Sequence, residues 1–513
     1  MTTLQTATRR PVRNALLTFF GMWLALAVLT IGWAIATPLS ASPDEPAHII
    51  RAASVVRGEL IGAPTDQPPN RRVLVPESLA NSGEWPCFAF KPSVSASCMK
   101  PFRTGLQLAP AKTSAGLYDP VYYLLVGWPS LFIANGQAAA LAMRIVSALL
   151  CTALASLAFL IMTRMRNAHI IRPTFLIAIT PVVVFLSSVV NPNALEICAG
   201  LAYFATALYI VRDVVGPPSW WALSGLMVSG VLLANARSLS PFWLAIFGAA
   251  ALVYAAPERL RDLAKMRRFQ VAFLVVVVGS IFSVVWTMTT GSLVELGKFT
   301  GVGSASPVKT FFDMLLGSTV DIGWIGVFGW LDTVAPTALL TIWFVLFFGL
   351  TIGAFMIARR RALVALVIAA AALFIVPAGL QAASIRNSGY IWQGRYALVA
   401  FVCLTLMAAV ILADRVRASW APRRPAVIVA CLTTLCQVWA FATALARYTV
   451  GVVDARALLR PAAWEPPGGI ALVVVLASIG ALGVALIILF APGPRRSPMP
   501  RGEAGYAAAG SSA

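Results

Sequence analysis

Long apolar stretches separated by short clusters of arginine constrain this 513-residue chain more than any other feature. A helix needs about 20 mostly apolar residues to cross a bilayer. Stretches of that kind run over residues 16–37, 137–163, 173–190, 194–211, 220–236, 239–256, 269–290, 337–358, 362–382, 396–413, 426–445 and 469–490. In lipid, only helices and closed barrels satisfy the backbone. The expected fold is therefore an all-α polytopic membrane protein with about 12 (12–13) transmembrane helices. Hydrophobic residues make up 59% and charged residues 11% of the chain. One soluble core cannot bury that much apolar surface, so a disordered chain and an ordinary soluble enzyme are excluded.

The net charge is +20, from 39 Lys+Arg against 19 Asp+Glu. In a soluble protein such a balance would suggest nucleic acid. Here the basic residues sit between the apolar runs, as the positive-inside trend requires, so no nucleic-acid partner is expected. The clusters at Arg9/Arg10/Arg13, Arg164/Arg166/Arg172, Arg259–Arg268, Arg359–Arg361, Arg415–Arg424 and Arg495/Arg496 all fall on one side. This predicts a multi-pass protein of the inner (plasma) membrane with both termini cytoplasmic.

Residues 118–134 are apolar but short and contain Pro129, which suits a juxtamembrane or re-entrant element; a full crossing there would make thirteen spans. Ala41 lies in a small-residue stretch, but the first apolar run is longer than the 7–15 residues of a signal-peptide core, so it reads as a retained span. Residues 1–490 are expected to form a single integral membrane domain, with 38–136 as its first extracytoplasmic loop. Further outer loops are 291–336, 383–395 and 446–468. The Pro/Gly/Ala/Ser-rich residues 491–513 read as a disordered cytoplasmic tail. The chain shows no internal repeat, which weakens an inverted-repeat transporter reading.

Of seven cysteines, Cys151, Cys198, Cys403, Cys431 and Cys436 lie in spans and read as small packing residues. Cys87 and Cys98 share the first outer loop, an oxidising compartment in this topology, and are expected to form a disulfide. No CxxC spacing occurs and the only nearby histidine is His48, which argues against zinc.

Directly after the first span, residues 42–48 read SPDEPAH. Ser42 and Glu45 fit a capping box and Pro43 a first helical position. The helix would run to about Arg57 and stop at Gly58. Ile49, Ala53 and Val56 would share one side and Asp44, His48 and Arg51 another, giving an amphipathic helix on the outer membrane surface. Adjacent carboxylates at that depth suit proton abstraction or the holding of a divalent cation. Desolvation there would raise a carboxylate's pKa and make it a better base. The simpler reading is a helix cap, since Asp and Glu favour helix N-termini on dipole grounds alone.

Arginine at span ends on the outer side runs against the positive-inside trend and asks for a partner. Arg395, followed by Tyr396, starts one span, and Arg237 sits in a very short outer connection. A lipid phosphate is a natural partner through bidentate hydrogen bonds; a headgroup or a neighbouring acid is the alternative. Asn191, Pro192 and Asn193 form an outer turn ahead of Glu196, which reads more readily as a helix-start charge. The loop 291–336 carries Lys298, Lys309, Asp313, Asp321 and Asp332; its Gly/Trp-rich run suggests a helix pair with Trp as interface anchors and no chemistry. Walker A, GxGxxG and GxSxG patterns are absent, so nothing supports a nucleotide-driven pump.

Five motifs in order resemble the DUF2142 family of bacterial membrane proteins: SPDEPAH, LYDPVYYLLVGWPSLF before MRIVSALL, TPVVVFLSSVVNPNALEI, GWLDTVAP and QGRY. The resemblance covers roughly residues 16–445, and that family looks like a branch of the GT-C glycosyltransferase superfamily. It implies a GT-C-like glycosyltransferase that moves a sugar from a polyprenyl-phosphate-linked donor to an envelope glycan or lipid acceptor on the outer face. It implies Asp44 as general base and Glu45 as a second catalytic group that orients the acceptor or helps hold a cation. His48, Arg237, Arg395, Tyr396 and Asn193 would bind substrate, the arginines neutralising the departing phosphate. Many members carry an acid where this chain has Asn193, which bears on metal dependence.

A transporter or flippase of a lipid-linked envelope precursor is the principal alternative. It wants charge deep within a span, and Arg144 is the clearest such residue. A non-catalytic envelope scaffold would tolerate replacement of Asp44 and Arg395.

Overall fold

The structure, a computed structural model, describes residues 2–294, 297–317, 320–415 and 423–491. The tail expected at 491–513 lies outside them, apart from Ala491. α1 (Thr2–Ala36) leads into a long connection holding α2 (Glu45–Val55), β1 (Ala63–Pro64), β2 (Arg71–Pro76), α3 (Glu77–Ala80), β3 (Leu108–Thr113) and α4 (Pro120–Gly127). There follow α5 (Gly136–Met162), α6 (Ala168–Ile171), α7 (Thr174–Ala178), α8 (Pro181–Ser187), α9 (Pro192–Arg212), α10 (Trp220–Ala234), α11 (Ser240–Tyr254), α12 (Pro257–Lys265) and α13 (Arg267–Thr290). The remainder comprises α14 (Pro307–Gly317), β4 (Val327–Phe328), β5 (Thr333–Val334), α15 (Thr337–Ile357), α16 (Arg361–Ser388), α17 (Leu398–Arg415), α18 (Arg423–Val450) and α19 (Gly469–Phe490).

Among the described residues, 9 helices are long and apolar enough to cross a membrane, or up to 11 if two bent pairs each count as one span. Of the twelve expected runs nine form such helices, and three depart from a single straight span. The run 173–190 is broken by 67° between α7 and α8. Thr180 caps α8 by accepting the Val183 N–H, and Pro181, which has no N–H, can only begin a helix. The run 239–256 ends at Tyr254, where the chain turns by 116° into the charged helix α12. The run 220–236 yields only the 15-residue α10. Residues 118–134 form an eight-residue α4 and a 3-10 turn, too short to cross.

α9 and α17 occupy the centre of the bundle: 89% of the apolar window of each is buried, against 17% for α13. α13 instead exposes Phe273, Leu274, Val278 and Phe282, as a lipid-facing helix must. Connections sort to two ends. At one, Asn167 donates to the Ala413 carbonyl, Arg212 to Asp414 and Arg361 to the Ala255 carbonyl. At the other, Arg395 reaches Pro43 and Asp44, Asn191 reaches Pro43, and Arg447 reaches Asp332.

The first loop is a built layer rather than a loose strap. β1, β2 and β3 form an antiparallel sheet with Val73 opposite Ala111 and Val75 opposite Ala109. Val73 and Val75 point into the core, and Thr113 donates from Oγ1 to the Ala47 carbonyl at 2.8 Å. Covered this way, α2 is buried at every position except the partly buried Ala47, which corrects the expectation of a helix lying on the membrane surface. Gly127 of α4 crosses the same helix so closely that a Cβ would sit 2.2 Å from the Ala52 carbonyl oxygen.

Cys87 and Cys98 are joined in a disulfide. Of the span cysteines, Cys431 is exposed on the bundle's exterior; the other four are buried. The run 323–335 forms the β4–β5 hairpin and not a helix pair, because Gly329 and Leu331 take positive φ. Trp324 does not sit in an interface belt: it is 1% exposed and packs against Phe347, Phe374 and Phe401.

Candidate functional site

The site is assembled where the first outer loop meets the ends of α9, α10, α11 and α17. Asp44 is the N-cap of α2 with φ 63 and ψ −4, a left-handed conformation that Asp tolerates better than most residues. Its side chain makes no cap hydrogen bond, and Pro46 opens the helix. The capping box is therefore corrected: Ser42 Oγ has no hydrogen-bond partner and Glu45 faces elsewhere.

Glu45 forms a buried bidentate pair with Arg144 of α5, at 2.6 Å to each carboxylate oxygen, with both side chains 0% exposed. Arg144 also donates to the carbonyls of Ala34, Thr37 and Pro38, and Val190 N–H donates to Glu45. All five Arg144 N–H protons and both Glu45 oxygens are engaged, so this pair is a clamp between α1, α2 and α5. It removes Glu45 from the substrate and cation roles, and it removes Arg144 from the role of an intramembrane coupling charge.

Asp44 points the other way. Arg395 donates from Nη2 to Asp44 Oδ2 at 2.5 Å and from Nη1 to the Pro43 carbonyl at 3.2 Å. The Arg395 side chain is 5% exposed, whereas Asp44 is 49% exposed, so the carboxylate forms the accessible part of the pair. Arg395 is set by the turn before α17. Gly394 packs on Asp321, whose Oδ1 would lie 2.5 Å from a Cβ there, and Asp321 accepts the Gly323 N–H.

Tyr396 lies between two guanidiniums: its ring is 4.7 Å from Arg237 and 5.2 Å from Arg395, within cation–π reach of both. Arg237 pairs with Glu196 at 3.5 Å, and Ser240 donates to the other Glu196 oxygen at 2.7 Å. The partner that Arg237 required is thus a neighbouring acid one turn into α9. His48 Nδ1 lies 2.9 Å from Tyr123 Oη, and the Tyr118 ring packs at a tilt against the same imidazole, 5.8 Å between centroids. Arg51 covers Tyr123 and donates to the Tyr118 carbonyl, fixing both tyrosines.

Among the described residues, no hydrogen bond joins the Asn193 side chain to this constellation. The Asn193 N–H donates to Asn191 Oδ1 as part of the α9 cap, and its side-chain Nδ2 is buried without a partner. Tyr118, Tyr123 and Ser240 were not singled out by sequence reasoning. The motif LYDPVYY contained the two tyrosines, but nothing in its spacing assigned them to the arginines.

Desolvation by the surrounding protein acts to raise the pKa of the half-exposed Asp44, but the Arg395 charge and hydrogen bond, with His48 and Arg237, outweigh it and hold the carboxyl below its ordinary value. That reverses the expected direction. Burial pushes His48 down to about 3, with the neighbouring arginines adding to it and Asp44 opposing, so the ring is neutral at physiological pH. Asp119, the N-cap of α4, is pushed up to about 6 by burial, against the hydrogen bond from Val121 N–H and the Arg51 charge.

A divalent cation does not fit Asp44 and Glu45. The two carboxylates diverge, and each already faces a guanidinium. Among the described residues no group of three His, Cys, Asp or Glu side chains gathers to hold a metal ion.

Fold and site define a multi-pass membrane protein with an acid–arginine centre at one end of its bundle, its arginine buried and its acid half exposed. The family model described as "Predicted membrane protein (DUF2142)" matches residues 27–404, and the chain belongs to this family. Curated proteins gave no match. Among solved structures, the crystal structure of ArnT from Cupriavidus metallidurans bound to undecaprenyl phosphate aligns at 15% identity with a TM-score of 0.40, covering 91% of this chain and 75% of that chain.

Proposed function

We propose that this protein is a membrane glycosyltransferase that moves a sugar from a polyprenyl-phosphate donor to an envelope glycan or lipid acceptor, at the extracytoplasmic face of the inner membrane with both termini cytoplasmic. The observation that carries the reading is the half-exposed Asp44 carboxylate held directly against the buried Arg395. In this reading a base and a phosphate anchor stand side by side, at the end of the bundle that the positive-inside trend favours as the outer one.

The residues divide the work as follows. Arg395, with Arg237 across Tyr396, receives the donor phosphate. Asp44 takes the proton of the acceptor hydroxyl as the acceptor oxygen bonds to the anomeric carbon. The bond from that carbon to the phosphate oxygen breaks, and polyprenyl phosphate leaves with inversion at the sugar. Charge grows on the phosphate as it departs, where preorganised guanidiniums act most strongly. Before the donor binds, Arg395 keeps Asp44 a weak base. A phosphate competing for the same guanidinium withdraws that stabilisation and makes the carboxylate more basic only when the donor is in place.

Neutral His48 and Tyr123 form a hydrogen-bonded wall beside the carboxylate and position the acceptor. Asn193 is a further contact at the α9 end. The transporter reading loses its main support, since Arg144 is fully engaged by Glu45 and three carbonyls.

The test compares lipid extracts and envelope glycans of cells with and without the gene. Accumulation of one polyprenyl-phosphate monosaccharide, with loss of one glycosyl residue from an envelope glycan, is the expected result. Unchanged lipid-linked sugars and glycans would refute it.

A further inference from the structure

At the opposite end of α9 and α17 from Asp44 lies a cavity of about 650 Å³. It is lined by Arg166, Arg212, Arg359, Arg360, Arg361 and Arg415, with Asp414 as the acid in its wall. Its volume is that of a small-molecule site, within the usual range of about 300–1,000 Å³.

The charges in this wall are unevenly satisfied. Arg212, 2% exposed, pairs with Asp213 at 2.8 Å and Asp414 at 2.5 Å, and Arg166 pairs with Asp213 at 3.0 Å. Tyr254 donates its hydroxyl to Asp414, and Arg361 donates to the Ala255 carbonyl at 2.9 Å. Both acids are thereby consumed. Among the described residues, the side chains of Arg359, Arg360 and Arg415 meet no hydrogen-bond or ion-pair partner, so three guanidiniums line the cavity without a described counter-charge.

Two helix N-termini also begin at the cavity. α12 starts behind Ala256 and α16 behind Arg360, and neither has a side-chain cap. Their free N–H groups add positive potential at the same place. Arg360 holds φ 50 and ψ −124, a conformation that non-glycine residues rarely adopt and that is found at ligand-binding positions.

We propose that this cavity binds a phosphate or diphosphate group, carried by an anionic phospholipid headgroup or by a soluble nucleotide. Basic pockets between transmembrane helices on the arginine-rich side suit such groups, because a planar guanidinium pairs with phosphate oxygens bidentately. The site is separate from the Asp44 centre: at about 1.5 Å per residue, the length of α9 places the two roughly 30 Å apart.

The experiment uses the full-length protein in neutral detergent and measures binding of inorganic pyrophosphate by calorimetry. Saturable binding is expected, weakened about tenfold in the double variant Arg359→Gln/Arg360→Gln, by the loss of two charge-assisted contacts. The double variant Arg261→Gln/Arg267→Gln removes equal charge from the same end outside the cavity and should bind as wild type does. Native mass spectrometry from phosphatidylcholine discs with added phosphatidylglycerol identifies the source. Retained phosphatidylglycerol that pyrophosphate displaces assigns the site to a lipid headgroup. No retained lipid, with pyrophosphate displaced by ADP, assigns it to a soluble nucleotide. Absence of saturable pyrophosphate binding, or equal weakening in both double variants, overturns the proposal.

Discussion

Asp44 and Glu45 are neighbours in sequence and serve different arginines: Asp44 meets Arg395 of the α17 turn, and Glu45 meets Arg144 of α5. The left-handed backbone at Asp44 is what separates them. One acid is half exposed and the other fully enclosed, so under the proposed function the first is the one placed to carry chemistry, while the second holds the layer that presents it.

Glu45→Gln should therefore act on stability. It leaves Arg144 buried with its charge uncompensated, and breaking a buried pair costs about 3–5 kcal/mol. Thermal unfolding of the purified variant should show a marked drop in midpoint, or the variant should fail to accumulate. An unchanged midpoint would show that the clamp contributes nothing.

Asp44 titrates below its ordinary value, so the carboxylate is ionised throughout the physiological range and activity should be flat on the acid side until the pH approaches that value. Because the folded pKa is the lower one, its stabilising contribution is present above the unfolded value of 3.8 and is lost as pH falls through the folded value. Arg395→Gln removes the strongest of the opposing charges, so the carboxyl's pKa rises relative to wild type. The acid limb of its residual activity should move upward in pH relative to wild type. A pH–rate profile with the limb unmoved would contradict the pairing.

His48 gives a second pH dependence of opposite chemical origin. Its pKa falls from 6.5 unfolded to about 3 folded, so between those values the unfolded chain binds more protons and stability declines as pH falls. His48→Gln should flatten that decline, measured as the unfolding midpoint between pH 6.5 and 4. A variant with the same slope as wild type would show that another group is responsible.

Gly394→Ala tests how Arg395 is positioned. A methyl group there meets the Asp321 carboxylate at 2.5 Å; because that carboxylate is held by the Gly323 N–H, the strain is expected to be shared by the turn that carries Arg395. Transfer activity should fall by about tenfold to a hundredfold, as expected for small misplacement of a catalytic group, with little change in expression. Wild-type activity would mean that the turn relaxes without moving the guanidinium.

The membrane class was legible from the apolar runs, and Asp44, Arg237 and Arg395, which the structure brings together around Tyr396, drew attention because each breaks a local rule. Outer arginines defy the positive-inside trend, and an acidic pair follows a span. The role of Glu45 was not legible, since adjacency in sequence says nothing about which way each side chain turns once the backbone enters the left-handed region. Its partner Arg144 lies 99 residues away, on another helix. The direction of the Asp44 shift was missed for the same reason: desolvation is visible in a sequence, but an arginine arriving from position 395 is not. Spans counted by hydropathy exceeded the long helices because Pro181 and Pro257 allow an apolar run to bend without changing its composition.

The most direct measurement replaces Asp44 by Asn, which keeps the side chain's shape and removes its basicity. Wild-type and Asp44→Asn proteins are brought to matched levels in cells lacking the native copy, and polyprenyl-phosphate sugars and envelope glycans are compared by mass spectrometry. Loss of a general base costs about 10²–10⁴-fold in rate. The account predicts that the variant folds normally, accumulates a polyprenyl-phosphate monosaccharide and leaves an envelope glycan one sugar short. Wild-type glycans and lipid-linked sugars in the Asp44→Asn cells, with both altered when the gene is deleted, would contradict it and leave Asp44 as a helix cap.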